Sequence, residues 1–502
     1  LVILRILSRF IMQNIRSGVR NALLGLLVCN VHCATSGWLW AQDIAANNPS
    51  PSVETLHTEM VEKIKQEGMD RSKVMETISY LTDVSGPRLT GSPETRLAGE
   101  WTKKRLEEYG LENAQLEAWG PFGRGWSVQS YRANVVAPNF FSLIAYPKAW
   151  TPSTPTTVRG APIYLDANTP EELEKYRGKL GRAIVLISPP RELKPWFDPP
   201  GARQTDSELL NLANAEVGGS RRRRAPGAEP GTPAGGVSPA GSAGAAGSAG
   251  AAGSAGTAGP SGPSRGAGPA SSLTTDKWQL AYDEGAAVVL EPGRGDGGTV
   301  FVASATMPRR ADPGRELRSP GEGGPMSRGA RPWTVDSPPI LPQMVLAAEH
   351  YNRLVRMVQK GVTPELEIDI ESTYHDAETN CFNIIADIPG TDLKDEVVMI
   401  GAHFDSWHSG TGATDNAIGC GVMIEAMRIL KTIGVSPRRT IRVALWTGEE
   451  QGLLGSRAYV SEHFGTLQTP PRGGQGESRP SPVLEYKPEY EKLSTYFNLD
   501  NG

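Results

Sequence analysis

Two apolar runs at 395–400 and 441–446 bracket a segment, 416–432, in which Ile418, Val422, Met423, Ala426 and Leu430 recur at helical spacing. Strand, helix and strand in that order close as a parallel, right-handed crossover. In open sheets of this kind the functional edge lies beyond the carboxyl ends of the strands. His403 follows the first run, Asp415 precedes the helical segment, and Glu449 and Glu450 follow the second run. Asp500 closes a further strand-like run that begins at Tyr496. The expected topology therefore gathers His403, Asp415 and Glu449 on one edge, while Asp500 means little taken alone.

Their chemistry points one way. A hydrolase with two zinc ions needs imidazole and carboxylate terminal ligands, one carboxylate to bridge the cations, and a free carboxylate to take a proton from water. Asp405, two residues after His403, is placed to orient the imidazole as a carboxylate partner. Asp415 lies in a Gly-rich loop at a helix start, where capping the helix and bridging two cations compete for the same carboxylate, and its position relative to His403 favours bridging. Adjacent acids at a strand end project in different directions, so one of Glu449 and Glu450 can bind metal while the other faces water. Taken singly, each residue has a plainer use as a loop histidine, a cap or a solvated surface acid. His408 matches no ligand position and is expected on the surface.

The segments Gly401-Ala402-His403-Phe404-Asp405-Ser406-Trp407, Gly410-Thr411-Gly412-Ala413-Thr414-Asp415 and Leu445-Trp446-Thr447-Gly448-Glu449-Glu450-Gln451-Gly452 resemble the co-catalytic zinc exopeptidase family of bacterial leucyl aminopeptidases and carboxypeptidase Q. The resemblance implies an α/β fold with a mixed, largely parallel sheet flanked by helices, and an inserted, β-rich protease-associated domain. It also implies two zinc ions, with His403 and Asp500 on one, Glu450 on the other and Asp415 between them. Glu449 is then the general base and Asp405 the second catalytic residue. The implied activity is hydrolysis of terminal peptide bonds in dipeptides or short peptides, carboxypeptidase Q-like. An aminopeptidase of the same family and a non-catalytic binding homologue stand as alternatives. A zinc acyltransferase of the glutaminyl cyclase type is disfavoured by the inserted middle unit. The family's last zinc ligand, a histidine, is expected well downstream of Asp500, so the chain reads as truncated and is expected to be inactive as it stands.

The rest of the sequence supplies the setting. A length of 502 residues suggests more than one core. We divide it into a leader (1–42), a first peptidase part (43–150), an inserted domain (151–371) and a second peptidase part (372–502). Within the insert, 218–272 carries four consecutive arginines and a Gly-Ser-Ala repeat, has little to bury, and is expected to be disordered, as is 307–332. The leader has Arg16 and Arg20 before the short apolar run 22–28, the layout of a secretory signal peptide and too short for a membrane span. The expected location is secreted or periplasmic. Cys381 and Cys420, the two cysteines beyond the leader, are expected as buried or free thiols. With 51 Lys+Arg against 55 Asp+Glu, the charge argues neither for nucleic acid nor for an anionic membrane. Peptides are the expected partners, and homodimerisation is left open.

Overall fold

The computed structural model describes residues 57–195, 197, 203–214, 269–308, 331–468 and 483–500. The expected leader, most of the repeat-rich stretch and most of 307–332 lie outside these residues. The chain falls into two units, 1–190 with 258–502, and 191–257. In the smaller unit the helix Asp206–Asn214 opens where Thr205 Oγ1 accepts the Glu208 N–H at 3.3 Å, an amino-terminal cap.

In the larger unit, α1 (Thr58–Asp70) and α2 (Val74–Ser79) lead through one π-helical turn, Tyr80–Val84, into the loop 85–92. Helix α3 (Pro93–Glu108) then starts where Ser92 Oγ accepts the Thr95 N–H at 3.2 Å and Pro93 occupies the first turn. The cap satisfies a free amide, and proline there has no donor to lose. The helices expected to flank an ordered loop are thus present.

Strands β1 (Glu112–Trp119), β2 (Gly125–Ala137), β3 (Phe141–Ser142), β4 (Ala145–Pro147), β5 (Val158–Gly160), β6 (Pro162–Tyr164) and β7 (Ile184–Leu186) follow. After helix α4 (Pro269–Glu284) come β8 (Val288–Pro292), β9 (Gln343–Leu346), α5 (Ala348–Gln359) and β10 (Glu365–His375). The carboxyl-terminal part supplies β11 (Cys381–Ile388), β12 (Leu393–His403), α6 (Ile418–Thr432), β13 (Arg439–Trp446), α7 (Leu454–Tyr459), the pair β14 (Gly465–Gln468) and β15 (Val483–Tyr486), and β16 (Leu493–Asn498).

The sheet that carries the motif residues has the order β1-β11-β13-β12-β16. It is mixed: β11 pairs antiparallel with β1 and β13, whereas β12 is parallel to both β13 and β16. Helices flank it, as expected for the α/β class. Strand β11 is buried at every position, because both faces of the sheet are covered and its Phe and Ile residues leave nothing to solvate. On one face Leu106 of α3 and Met423, Ile424 and Met427 of α6 pack on Phe382, Ile384 and Leu445. On the other, Tyr459 joins Ile385, Met399, Ala444 and Trp446. Each fully buried Leu or Ile side chain contributes on the order of 1.5–3 kcal/mol by removal from water.

A second sheet, β3-β2-β10-β5, is antiparallel throughout. Strand β10 turns Leu366, Ile368 and Ile370 inward at every second residue, the strand period. A third, β4-β9-β8-β7-β6, is parallel from β6 to β9 with β4 antiparallel at its edge. Ala133 and Val135 of β2, Ile368 of β10, Leu186 of β7, Leu290 of β8 and Leu354 of α5 share one core.

Helix α4 starts at Pro269, inside the stretch expected to be disordered. The physical reason is visible in its later turns: Trp278, Leu280 and Ala281 are buried against Leu165, Leu180 and Val289, so this end of the segment does have a core to join. Cys381 and Cys420 are buried free thiols, as expected. Among the described residues, no helix is long and apolar enough to cross a membrane.

Candidate metal centre

The parallel strands β12 and β16 end at His403 and Asn498, and β13, parallel to β12, ends at Trp446. Their carboxyl ends therefore deliver His403, Asp500 and the turn holding Glu449 and Glu450 to one edge, and the segment before α6 adds Asp415. His403 Nε2 lies 2.8 Å from Asp415 Oδ1 and 3.6 Å from Asp500 Oδ1. Among the described residues these three form a group whose potential ligand atoms all lie within 4.8 Å of one another. Glu450 is not in that group.

The imidazole cannot be neutral in this arrangement without a cation beside it. Nδ1 stands 3.0 Å from the Asp405 backbone carbonyl oxygen, and a carbonyl only accepts, so Nδ1 carries the proton. Nε2 is then left facing a carboxylate oxygen at 2.8 Å, lone pair against lone pair. Either a second proton or a metal ion must resolve the conflict. Burial alone would depress the His403 pKa, but Asp405, Asp415 and Asp500 outweigh it and hold the pKa above its ordinary value. One imidazole nitrogen and two carboxylates fit a borderline divalent ion such as zinc.

Asp405 does not orient His403 as its spacing suggests. Its carboxylate is 3.6 Å from Nδ1, too long for a hydrogen bond, and its backbone carbonyl does the orienting. The buried carboxylate instead accepts the Thr90 hydroxyl at 2.9 Å and the N–H groups of Glu449 and Glu450 at 3.1 and 3.2 Å. Asp405 thus pins the turn carrying both glutamates. Those side chains are half-buried, not solvated. Burial, joined by the charge of Asp405, pushes the Glu450 carboxyl up to about 9, and burial likewise raises Glu449.

The competition at Asp415 is resolved by its neighbour. Asn416 Oδ1 accepts the Gly419 N–H at 3.1 Å in the first turn of α6, so Asn416 caps the helix and Asp415 is left to face His403. Asn416 Nδ2 also donates to the Leu499 carbonyl at 2.9 Å, tying this segment to the residue before Asp500. Gly412 stands at φ +60° in the loop, and a Cβ on it would lie 2.3 Å from Ser406 Cβ, so only glycine fits there.

Two residues of the loop 85–92 serve the site without a motif to announce them. Arg88 is 0% exposed and bonded to carbonyls around the centre. Thr90 Oγ1 bridges Asp405 and the Gly448 N–H. Their partners are mostly backbone atoms, which leave no trace in sequence. His408, expected on the surface, is 4% exposed. Its Nε2–H donates to the Pro147 carbonyl at 2.7 Å, and Trp126 and Tyr146 stand edge-on to its ring. Strands β2 and β4 close over it from far upstream in sequence, and burial pushes its pKa down to about 4.

Fold and donor set together describe an α/β protein with a cluster that could hold a metal ion, His403, Asp415 and Asp500, on the carboxyl edge of its parallel strands. Residues 383–501 match Peptidase family M28. Carboxypeptidase Q of Xenopus laevis is 33% identical over 131 residues, 26% of this chain and 28% of that protein. Carboxypeptidase Q of Mus musculus is 36% identical over 129 residues, 26% and 27% of the two chains. The chain thus spans less than a third of the length of these relatives. A solved structure described as a Peptidase M28 precursor from Shewanella amazonensis SB2B covers 81% of this chain and 70% of its own, at 20% identity and a TM-score of 0.46. The likeness to peptidase family M28 is thus carried by residues 383–501, the part of the chain that holds His403, Asp415, Glu449, Glu450 and Asp500.

Proposed function

We propose that this chain is a zinc-dependent exopeptidase that hydrolyses terminal peptide bonds of dipeptides or short peptides. The observation that carries the reading is the His403 imidazole held with Nε2 against Asp415 and Asp500, a donor set that a divalent ion in place of the second proton would satisfy. His403, Asp415 and Asp500 would hold one zinc ion, and Glu450 a second, with Asp415 shared between them. Zinc in such sites supplies Lewis acidity toward a carbonyl oxygen and makes water acidic enough to ionise near neutral pH.

The chain's own groups divide the remaining work. Glu449 accepts the proton of the attacking water on its carboxylate and delivers it to the amine nitrogen as the C–N bond breaks. Its partly buried position raises its proton affinity above that of a surface acid, which suits a group that must first take and then return a proton. Asp405 fixes the backbone on which Glu449 and Glu450 stand. We also propose that the middle of the chain, 151–371, is an inserted domain; most strands of the third sheet fall within it, which supports the reading. Secretion through the leader at 1–42 completes the proposal.

The test is elemental zinc analysis of the chain after stripping and reloading, with hydrolysis of free, N-acetylated and C-amidated dipeptides by the chain and by Glu449→Gln. Zinc uptake by both proteins is expected, and any hydrolysis by the parent should fall about 10²–10⁴-fold in the variant, as for a lost general base. The blocked substrates distinguish carboxypeptidase from aminopeptidase action. A chain that takes up no zinc, or a variant that hydrolyses as fast as the parent, overturns the reading.

A further inference from the structure

Arg88 directs all three of its guanidinium nitrogens at backbone carbonyls around the centre. Nε donates to the Phe404 carbonyl at 2.8 Å, Nη1 to those of Leu81, Gly86 and Thr411 at 2.9, 3.2 and 2.9 Å, and Nη2 to that of Gly412 at 3.0 Å. Its backbone N–H donates to Ser406 Oγ at 3.0 Å, and the Ser406 N–H returns to the Arg88 carbonyl at 3.1 Å. Phe404 adjoins His403, and Gly412 lies three residues before Asp415. One side chain therefore holds both ligand-bearing segments from behind.

Arg428, another buried arginine, is built differently. Arg428 sits between the carboxylates of Glu67 and Glu425, at 2.7 and 2.8 Å, the ordinary way to bury a cation. Arg88 is hydrogen-bonded to carbonyl dipoles instead. Such a placement is costly unless geometry demands it, and a planar fork of five N–H donors is the one side chain that reaches several carbonyls at once.

We propose that Arg88 is a positioning residue of the metal centre, locking the loop after β12 to the segment before α6 so that His403 and Asp415 hold their ligand geometry before the ion arrives. The inference rests on the metal reading above. Arg88 touches no substrate and no reacting atom; it acts through the loops that it ties.

The zinc dissociation constant, measured by chelator competition, and the thermal midpoint are compared for the chain, Arg88→Lys, Arg88→Met, Ser406→Ala and Val355→Ala. Lysine keeps the charge and loses the fork. Ser406→Ala removes a single partner and leaves the guanidinium in place, so it carries the test if the arginine variants fail to fold. Val355→Ala opens a cavity in the separate core under α5 and reports what mere loss of stability does to the site.

The expected result is zinc binding weakened about 10- to 100-fold in both Arg88 variants, the range for groups that support ligands from behind. Ser406→Ala should weaken it less but in the same direction, and Val355→Ala should lower the midpoint with zinc affinity unchanged. A folded Arg88→Lys or Ser406→Ala that binds zinc like the parent overturns the inference, and so does a Val355→Ala as weak as Arg88→Lys. An unsubstituted chain that binds no zinc overturns the metal reading itself, which the parent measurement reports separately.

Discussion

Thr90 Oγ1 donates to Asp405 Oδ2 at 2.9 Å across 315 residues of sequence, and the same oxygen accepts the Gly448 N–H at 3.0 Å. A single buried hydroxyl thus spans the loop before α3, the loop after β12 and the turn after β13.

Thr90→Val keeps the shape of that side chain and deletes both bonds. It strands the buried Gly448 amide and one lone pair of Asp405, and unmet buried groups of this kind destabilise by about 1–3 kcal/mol. Urea unfolding should show a lower midpoint with an unchanged slope.

Asp415→Asn removes charge from the position nearest His403 Nε2 while preserving size. Zinc uptake should fall by more than about 100-fold, beyond the range seen for groups that only support ligands. Elemental analysis after dialysis against micromolar zinc reads this directly, and an unchanged zinc content would remove Asp415 from the ligand set.

His408 gives the chain an acid-sensitive point away from the ligands. Its folded pKa of about 4 lies below the 6.5 of a free imidazole, so between those values the unfolded chain binds the extra proton and the folded chain does not. Stability from this residue is full above pH 6.5 and is lost as pH falls toward 4. The loss is on the order of 3 kcal/mol at about 1.4 kcal/mol per pKa unit. The stability difference between the parent and His408→Gln, measured in urea at pH 7, 5.5 and 4.5, should shift against the parent by about 2 kcal/mol of that total; a constant difference would refute the assignment.

Why some of this was legible in the sequence and some was not follows from how each residue is held. The run 395–400, the helical period of 416–432 and the run 441–446 appear as β12, α6 and β13, because local periodicity encodes which face is buried. The placing of His403, Asp415 and Glu449 on one edge followed from the strand–helix–strand order, whereas Asp500 entered only through the family resemblance. His408 and Arg88 were not readable, because their surroundings are assembled from Trp126, Tyr146 and Pro147 in one case and from backbone carbonyls in the other. Asp405 was half readable. Its proximity to His403 is local, but the amides that claim its carboxylate arrive from 44 and 45 residues downstream.

Gly412→Ala places a methyl group 2.3 Å from Ser406 Cβ and 3.0 Å from Arg88 Nη2, at a backbone φ of +60°. Left-handed strain and the collision act together, and a loss of about 1–3 kcal/mol is expected from overpacking alone. Thermal unfolding of the variant checks it, and a midpoint equal to the parent's would show that the loop yields freely.

The bonds from Arg88 to Thr411, from Thr90 to Gly448 and from Asn416 to Leu499 have a kinetic consequence. Contacts separated by 83 to 358 residues of sequence form slowly, since loop closure must precede any reward. During synthesis the segments made first wait for the last, and β16 must dock on β12 before Asp500 reaches His403. A nascent chain therefore cannot bring His403, Asp415 and Asp500 together, and their meeting becomes a timer that rings only when tertiary assembly is finished.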